Sequence, residues 1–342
     1  MMSSVNLLSR IGRVTRTGAL LAMLCAASVG QALAAKKAPA VDAKKPAADA
    51  QVTIVHVQGN IYMLAGGGGS NITVQIGDEG LVVVDASVPE MSEKLIAAIR
   101  TLTDKRIRYL LDTSADLDHV GGNDAISHYG IQFGGGYTKD ATFSLIYAHE
   151  NVANAMSAPT GQHAAMSSDS WPTDTYFEDS MELYMNGEAI QMLYQPAAHS
   201  DGDSIVYFRG SDVIATGDVY ITTGYPVIEL EHGGTINGVI DSLNRIIDIT
   251  IPKLNQEDGT LVVPGHGRVS DEYDVVVYRD MVTVIRDRIQ NMVDKGMTLA
   301  QVKAAKPTFD YDGRWGAATG NWTTDKFVEA VYKTLQPQTS SK

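Results

Sequence analysis

Leu110-Leu111-Asp112-Thr113-Ser114-Ala115-Asp116-Leu117-Asp118-His119-Val120-Gly121-Gly122-Asn123 sets an apolar run against three acids, a histidine and paired glycines. The residues from Ile107 to Leu111 read as a strand, with Arg108 and Tyr109 interleaved, and the change of character at Asp112 reads as the turn that ends it. A strand running into a turn delivers side chains to a sheet edge, where catalytic groups sit on α/β scaffolds. Asp118 and His119 carry the chemistry: adjacent at a tight turn, they offer one cation a hard oxygen and an imidazole nitrogen. Gly121 and Gly122 let the backbone pack closely as a helix begins.

Upstream, short apolar runs alternate with turns. Val52–Val57, Ile61–Leu64, Ile72–Ile76 and Leu81–Val84 read as strands, parted by Gln58-Gly59-Asn60, Gly66–Asn71 and Gly77-Asp78-Glu79-Gly80, which predicts an antiparallel meander. The glycine run Gly66–Asn71 reads equally as a plain hairpin turn or as a loop over a site. Asp85 closes the fourth strand. Ser92 then N-caps a predicted helix to Leu102, with Leu95, Ile96, Ile99 and Leu102 on one stripe.

Downstream, a helix is predicted from Gly122 through Ile126, a strand at Ile131–Phe133, and a strand-to-helix passage over Leu145–Val152. Ala158–Thr175, low in apolar residues and broken by Pro159, Gly161 and Pro172, reads as a long exposed loop; nothing near His163 there fixes its position, so it is given no ligand role. Strands resume at Met181–Met185 and Ile190–Tyr194, joined by the hairpin turn Asn186-Gly187-Glu188. His56, His128 and His232 are read as surface or packing residues.

Three further strand ends carry candidate ligands. Pro196-Ala197-Ala198-His199-Ser200-Asp201-Gly202-Asp203-Ser204 holds His199 in a polar turn before a strand at Ile205–Phe208. Val213-Ile214-Ala215-Thr216-Gly217-Asp218 ends a buried-looking strand on a carboxylate, and Leu261-Val262-Val263-Pro264-Gly265-His266-Gly267 ends another on a histidine. A strand-ending aspartate alone is often a turn cap, and a lone histidine is usually a hydrogen-bonded surface or core residue. Together, strand ends that each present Asp or His beside glycine or polar turn residues are what a metal site built from loops on one sheet edge requires.

The opening stretch resembles the signature of the metallo-β-lactamase superfamily, Thr-His-x-His-x-Asp-His-x-Gly-Gly. Thr113, Asp118, His119, Gly121 and Gly122 match it, while Ser114 and Asp116 stand where the family has its first two histidines. In the family's order, His199 takes the place of the third histidine, Asp218 that of the metal-bridging aspartate, and His266 that of the closing Pro-Gly-His-Gly motif. The resemblance implies an α/β fold, an αββα sandwich with helices on both outer faces, followed by a C-terminal helical extension. His149, in a passage similar to one in secreted members, is then a structural or rim residue.

The resemblance further implies one metal site from Asp118, His119, His266 and the bridging Asp218, and another from His199, Asp218 and Asp116. Asp116 replaces an imidazole there, as a carboxylate does in flavodiiron proteins, whereas the neutral hydroxyl of Ser114 is a poor ligand. The implied cofactor is a divalent metal, zinc first, as one or two ions, with iron or manganese competing better at the oxygen-richer position. The implied activity is hydrolysis: a metal-bound water, oriented by Asp118 and Asp116 as catalytic groups, attacks an ester, amide or lactam, phosphate or sulfate centre of a small-molecule substrate. Enzymes that are β-lactamases proper usually keep the full histidine trio, so that activity is not favoured. The competing class is a secreted binding protein that kept the scaffold and lost catalysis.

The whole chain sets the bounds. At 342 residues, 44% hydrophobic and 20% charged, it has ordinary globular composition with material for a sizeable core. Residues 1–35 read as a secretory signal, with Arg10, Arg13 and Arg16 before an apolar stretch Ala19–Val29 and the small-x-small site Ala32-Leu33-Ala34, which predicts a periplasmic or secreted protein. That apolar stretch is too short for a membrane span. Cys25, the only cysteine, lies inside it, so the mature chain rests any metal on His, Asp and Glu. A net charge of -13, made more negative by loss of those arginines, argues against nucleic acid or an anionic membrane as partner. Residues 36–50, rich in Ala, Lys and Pro, read as a flexible linker between the signal and a domain over 51–272. Residues 273–342 read as helical: Val275, Tyr278, Val282, Ile285, Ile289 and Met292 share a stripe ended by Gly296, Thr298 and Gln301 form a capping box, and Phe327, Val328, Val331 and Leu335 mark a helix over Thr324–Leu335. This part is expected either to cap the core or to offer a homodimer surface.

Overall fold

Alternation along the strands decides which face each residue takes. In the strand Gly80–Val84, Leu81 and Val83 enter one buried cluster and Val82 and Val84 another, because successive strand side chains point to opposite faces. Both faces are therefore covered. The structure, a computed structural model, describes residues 51–131, 143–160 and 163–337; the candidate signal (1–35) and linker (36–50) lie outside the described residues.

The first sheet begins with the predicted meander of β1 (Thr53–Gln58), β2 (Ile61–Ala65), β3 (Ile72–Gly77) and β4 (Gly80–Val84), all antiparallel. It continues in parallel through β5 (Ile107–Leu111) and β6 (Leu145–His149). A two-stranded ribbon follows, β7 (Pro159–Thr160) with β8 (His163–Ala164), and β9 (Asp174–Tyr176) then adds to β6 as the last strand of the sheet. The expected long loop over Ala158–Thr175 is thus partly paired: Trp171 donates from its ring nitrogen to Met166 O and the Thr173 backbone donates to Ile146 O, which steers the chain back to the sheet. The strand expected at Ile131–Phe133 is not formed at Ile131, and its other residues lie outside the described ones.

The second sheet has the order β10 (Ser180–Met185), β11 (Glu188–Tyr194), β12 (Ser204–Phe208), β13 (Val213–Ala215), β14 (Leu261–Val263) and β15 (Ser270–Asp271), antiparallel except between β13 and β14. The two sheets face each other, with Val82, Val84 and Leu111 of the first packed in one cluster with Met192, Phe208 and Val263 of the second. Helix α1 (Ser92–Leu102) covers the outer face of the first sheet through Leu95 and Ile99. Short helices α2 (Leu117–Val120), α3 (Asn123–His128) and α4 (Glu150–Ser157) follow β5 and β6.

The outer face of the second sheet is covered by α5 (Ile236–Ile249), α6 (Glu272–Asp294) and α9 (Thr324–Leu335), with α7 (Leu299–Ala304) and α8 (Asp312–Trp315) between the last two. Helix α5 goes beyond the sequence reading. Its signals are Thr235, whose hydroxyl accepts the Gly238 N–H at 2.9 Å, and the buried Ile236, Val239, Ile240, Leu243 and Ile246 at helical spacing. Each such side chain stabilises by about 1.5–3 kcal/mol relative to exposure. The Thr298–Gln301 capping box is present. Because α5, α6 and α9 share one buried cluster with Ile214 and Val262, the C-terminal helices form the sandwich's own outer layer. Among the described residues no helix is long and apolar enough to cross a membrane.

Candidate metal centre

The site grows from the turn after β5. Asp116 precedes α2 in extended conformation, so Asp118 and His119 enter the first turn of a short helix with His119 fully buried. Asp85, at the end of β4 with a left-handed φ of 65°, fixes this turn. It accepts from the Thr113 N–H at 2.8 Å, from the Thr113 hydroxyl at 2.7 Å and from His119 Nδ1 at 2.9 Å. With Nδ1 committed, His119 turns Nε2 towards the site.

Asp218 and His266 arrive from the ends of β13 and β14, which run in parallel and so deliver their loops to one edge. Asp218 Oδ1 stands 3.4 Å from the Nε2 atoms of both His119 and His266, and His266 Nε2 stands 3.2 Å from Asp118 Oδ2. Gly265 makes this approach possible: a Cβ there would lie 2.3 Å from Asp218 Oδ1 and 2.6 Å from Gly217 C. The glycine-rich loop Gly66–Asn71 ends as a clamp on two of these turns. Ser70 donates from its backbone and hydroxyl to Asp118 O, and the Asn71 side-chain amide donates to Pro264 O and Gly267 O.

His199 sits in the turn between β11 and β12, with Nδ1 3.3 Å from Asp203 Oδ1 and Nε2 3.3 Å from Asp116 Oδ2. Asp203 also accepts from the Ser200 N–H and hydroxyl, so it sets the turn as well as the ring. Two groups result in which one donor atom per residue lies within 4.8 Å of the others: Asp118, His119 and His266, and Asp116, His199 and Glu229. All six residues predicted from the sequence thus meet at one end of the sandwich. Asp85, Asp203 and Glu229 escaped the sequence reading. A carboxylate closing β4 and the Asp four residues after His199 were visible signals for the first two; Glu229 had none. Ser114 is buried but stays out of both groups, its hydroxyl accepting the Asp116 N–H at 3.2 Å. His149 stacks on Tyr194 with centroids 3.8 Å apart and accepts the Asn151 N–H, a structural role. Of the other histidines, His56 and His128 bond locally at the surface, His232 bonds Glu229, and the side chain of His163 lies outside what is described.

A divalent cation fits the Asp118–His119–His266 group with Asp218 beside it. His119 Nε2 and Asp218 Oδ1 are buried with no hydrogen-bond partner, a costly condition for two polar atoms that one coordinated ion would satisfy. Charge in the site runs the same way. Burial opposes an ionised Asp218, but His266, His119 and His199 hold its carboxyl well below the usual range. Burial also lifts Asp116 to about 7, His199 lowering it and the nearby Glu229 and Asp218 carboxylates adding to the rise. Beside the candidate ligands opens a cavity of about 240 Å³, lined as well by Ile221, Tyr225, Val227, Trp315 and Trp322. The C-terminal part of the chain holds that lining: Tyr278 of α6 donates to Gly224 O, Phe327 of α9 stacks on Tyr225, and Trp322, just before α9, donates to Pro226 O.

A family model described as the metallo-beta-lactamase superfamily matches residues 65–266, a span that contains all these loops. The chain is 24% identical over 257 residues to a linear primary-alkylsulfatase from Pseudomonas sp., covering 64% of this chain and 46% of that protein. Among solved structures, a stereoselective inverting sec-alkylsulfatase from Pseudomonas sp. superposes with a TM-score of 0.57 at 14% identity, over 82% of this chain and 50% of that one. A metallo-beta-lactamase from Pontibacter korlensis superposes with a TM-score of 0.52 at 14% identity, over 68% of this chain and 99% of that one. The chain therefore spans about half the length of the alkylsulfatases it matches.

Proposed function

This chain belongs to the metallo-beta-lactamase superfamily, and from that premise we propose that it is a metal-dependent hydrolase. The observation that carries the reading is the meeting of Asp118, His119, Asp218 and His266 around two buried polar atoms that lack hydrogen bonds. A divalent cation, zinc in the first instance, supplies when bound a Lewis acid for the developing oxyanion and a lowered pKa for water. The chain's own groups do the rest. Asp118, whose carboxyl is held below the ordinary range by the His266 hydrogen bond despite burial, is ionised at neutral pH and accepts a proton from the attacking water. Asp116 flanks the same cavity and orients that water. The apolar and aromatic lining receives the non-reacting part of the substrate.

Among ester, lactam, phosphate and sulfate substrates, a sulfate ester of an apolar alcohol has the most support. Beside the candidate ligands the cavity is lined by Ile221, Tyr225, Val227, Trp315 and Trp322, side chains that suit the apolar alcohol part of such an ester. The names of the two alkylsulfatases similar to this chain point the same way. The test is turnover of short alkyl and aryl sulfates by metal-supplemented protein, beside carboxylic esters and a lactam. Sulfate-ester turnover abolished by chelation and by Asp118→Ala supports the reading; retention after either change defeats it. The second reading, a binding protein on the same scaffold, rests on Ser114, whose hydroxyl is engaged with the backbone instead of the cluster. Metal-loaded protein that binds such esters without turning any over would favour it. We also place the mature chain in the periplasm or outside the cell, on the strength of residues 1–35.

A further inference from the structure

We propose that Glu229 stands in for the missing histidine as a protein ligand at the Asp116–His199 position, making that position an oxygen-rich cation site unlike its neighbour. The proposal rests on the metal-dependent reading above and concerns which residues complete the second position.

Ser114 cannot serve there, since its hydroxyl is turned to the Asp116 N–H. Asp116 and His199 alone leave that position short of protein donors. Glu229 brings a carboxylate oxygen within 4.8 Å of donor atoms on both, a spacing consistent with ligands about 2.0–2.3 Å from one ion. Its arrival is built into the backbone. The Glu229 N–H donates to His199 O at 2.8 Å, and the Gly234 N–H returns to Glu229 O at 3.0 Å. Gly234 permits the contact, because a Cβ there would stand 2.1 Å from His199 O and 3.0 Å from Glu229 N. The carboxylate is also held at one end: His232 Nδ1 donates to Glu229 Oε2 at 2.5 Å, which leaves the other oxygen for an ion. A ligating carboxylate steadied by a hydrogen-bond donor is the usual support for a metal site.

An acidic cluster without more would be only a charged turn. Here His199 is 1% exposed with Nδ1 directed at Asp203, so its Nε2 is presented on the same side as Asp116. Asp218, whose buried Oδ1 has no hydrogen bond, lines the same cavity as both. The resulting set is Asp116 and Glu229 with one imidazole, Asp218 lining the cavity beside it, against two imidazoles and two carboxylates around Asp218 at the Asp118–His119–His266 position. Hard oxygen donors shift preference towards manganese or iron(II), so the two positions differ in metal preference.

The test is metal binding, independent of turnover. Mature protein is stripped by chelation and titrated with Mn²⁺, with stoichiometry from elemental analysis and affinity from calorimetry. Wild type should take up two ions. Glu229→Gln should hold one, with Asp118→Ala losing the other. His232→Ala, at a half-exposed side chain where folding is not at risk, should keep two but weaken one by about tenfold. Glu229→His should keep two and move that position towards zinc in a Zn²⁺/Mn²⁺ competition. Two ions bound by Glu229→Gln with wild-type affinity would overturn the proposal, as would a single wild-type ion indifferent to Glu229→Gln. Either result leaves the hydrolase reading standing, whereas a wild type that binds no ion removes both.

Discussion

His119 Nδ1 lies 2.9 Å from Asp85 Oδ2, across the gap between the ends of β4 and β5. The same carboxylate accepts from both the backbone and the hydroxyl of Thr113, so one buried side chain orients the imidazole and shapes the turn that carries it. The aim of this candidate ligand is therefore set by a residue outside both donor groups.

Replacing Asp85 should accordingly weaken metal binding without removing a ligand. Asn tolerates the left-handed conformation at this position, so Asp85→Asn isolates the loss of charge and of one acceptor. We expect cation affinity to fall about 10- to 100-fold and stability to fall by about 1–3 kcal/mol. Calorimetric titration and thermal unfolding read the two effects; unchanged affinity would show that His119 is held by its surroundings alone.

Substitution of the ligands themselves should act on metal content first. Asp118→Ala and His266→Ala each remove one donor of the set around Asp218 and should abolish retention of an ion there. Ser114→Ala removes only a hydrogen bond to the Asp116 N–H, worth about 0.5–1.5 kcal/mol, and should leave metal content unchanged. Elemental analysis of the three variants decides the matter, and metal retained in both of the first two refutes the ligand assignment.

Cation binding should expel protons. Burial opposes charge on His119 and His199, yet Asp85 and Asp218 around the first, and Asp116 and Asp203 around the second, push both well above 6.5. Asp116 is lifted to about 7, chiefly by burial. Ligands must be free of protons to bind, so affinity rises with pH through neutrality. Titration in two buffers of different ionisation heat should show protons released at pH 7; none released contradicts the charge arrangement.

The metal-free protein should show the opposite dependence. A histidine with a raised folded pKa contributes stability that is complete below the unfolded value of 6.5 and is lost as pH rises through the folded one. The raised carboxyl of Asp116 adds in the same sense, its charged form being the disfavoured one up to about 7. Stripped protein should therefore lose thermal stability as pH climbs above 6.5, while saturating metal reverses the trend. A flat stripped-protein profile would sink this prediction.

The aromatic wall predicts a split between binding and chemistry. Trp322→Ala opens the cavity and frees Pro226 O, but touches no candidate ligand. We expect KM for apolar esters to rise about tenfold, with kcat and metal content close to wild type. A fall in kcat with KM unchanged would place Trp322 in the chemistry instead.

Strands, turns and the helix Ser92–Leu102 were legible because period and punctuation are local properties: alternation in Leu81–Val84 and the stripe of Leu95 and Ile99 state which faces are buried. The six candidate ligands were legible for a related reason, since each lies in the polar or glycine-bearing stretch that follows an apolar strand. Helix α5 carries an equally local signal, Thr235 ahead of Ile236 and Val239. Residues 158–175 have the composition of a loop because Asp174–Tyr176 is too short and too polar to announce a strand; its pairing to β6 comes from position, not composition.

By itself, then, the amino-acid order marked most strands, the helix over Ser92–Leu102 and the C-terminal helices, and nominated Asp116, Asp118, His119, His199, Asp218 and His266. Only the folded chain decided that Asp85 aims His119, that Ser114 turns to the backbone, and that Glu229 reaches His199. The reason is that a donor's reach depends on how two sheets stack and on backbone bonds such as that from the Glu229 N–H to His199 O. Spacing along a chain records periodicity, and carries no measure of the ångströms between loops that meet only when the sandwich closes.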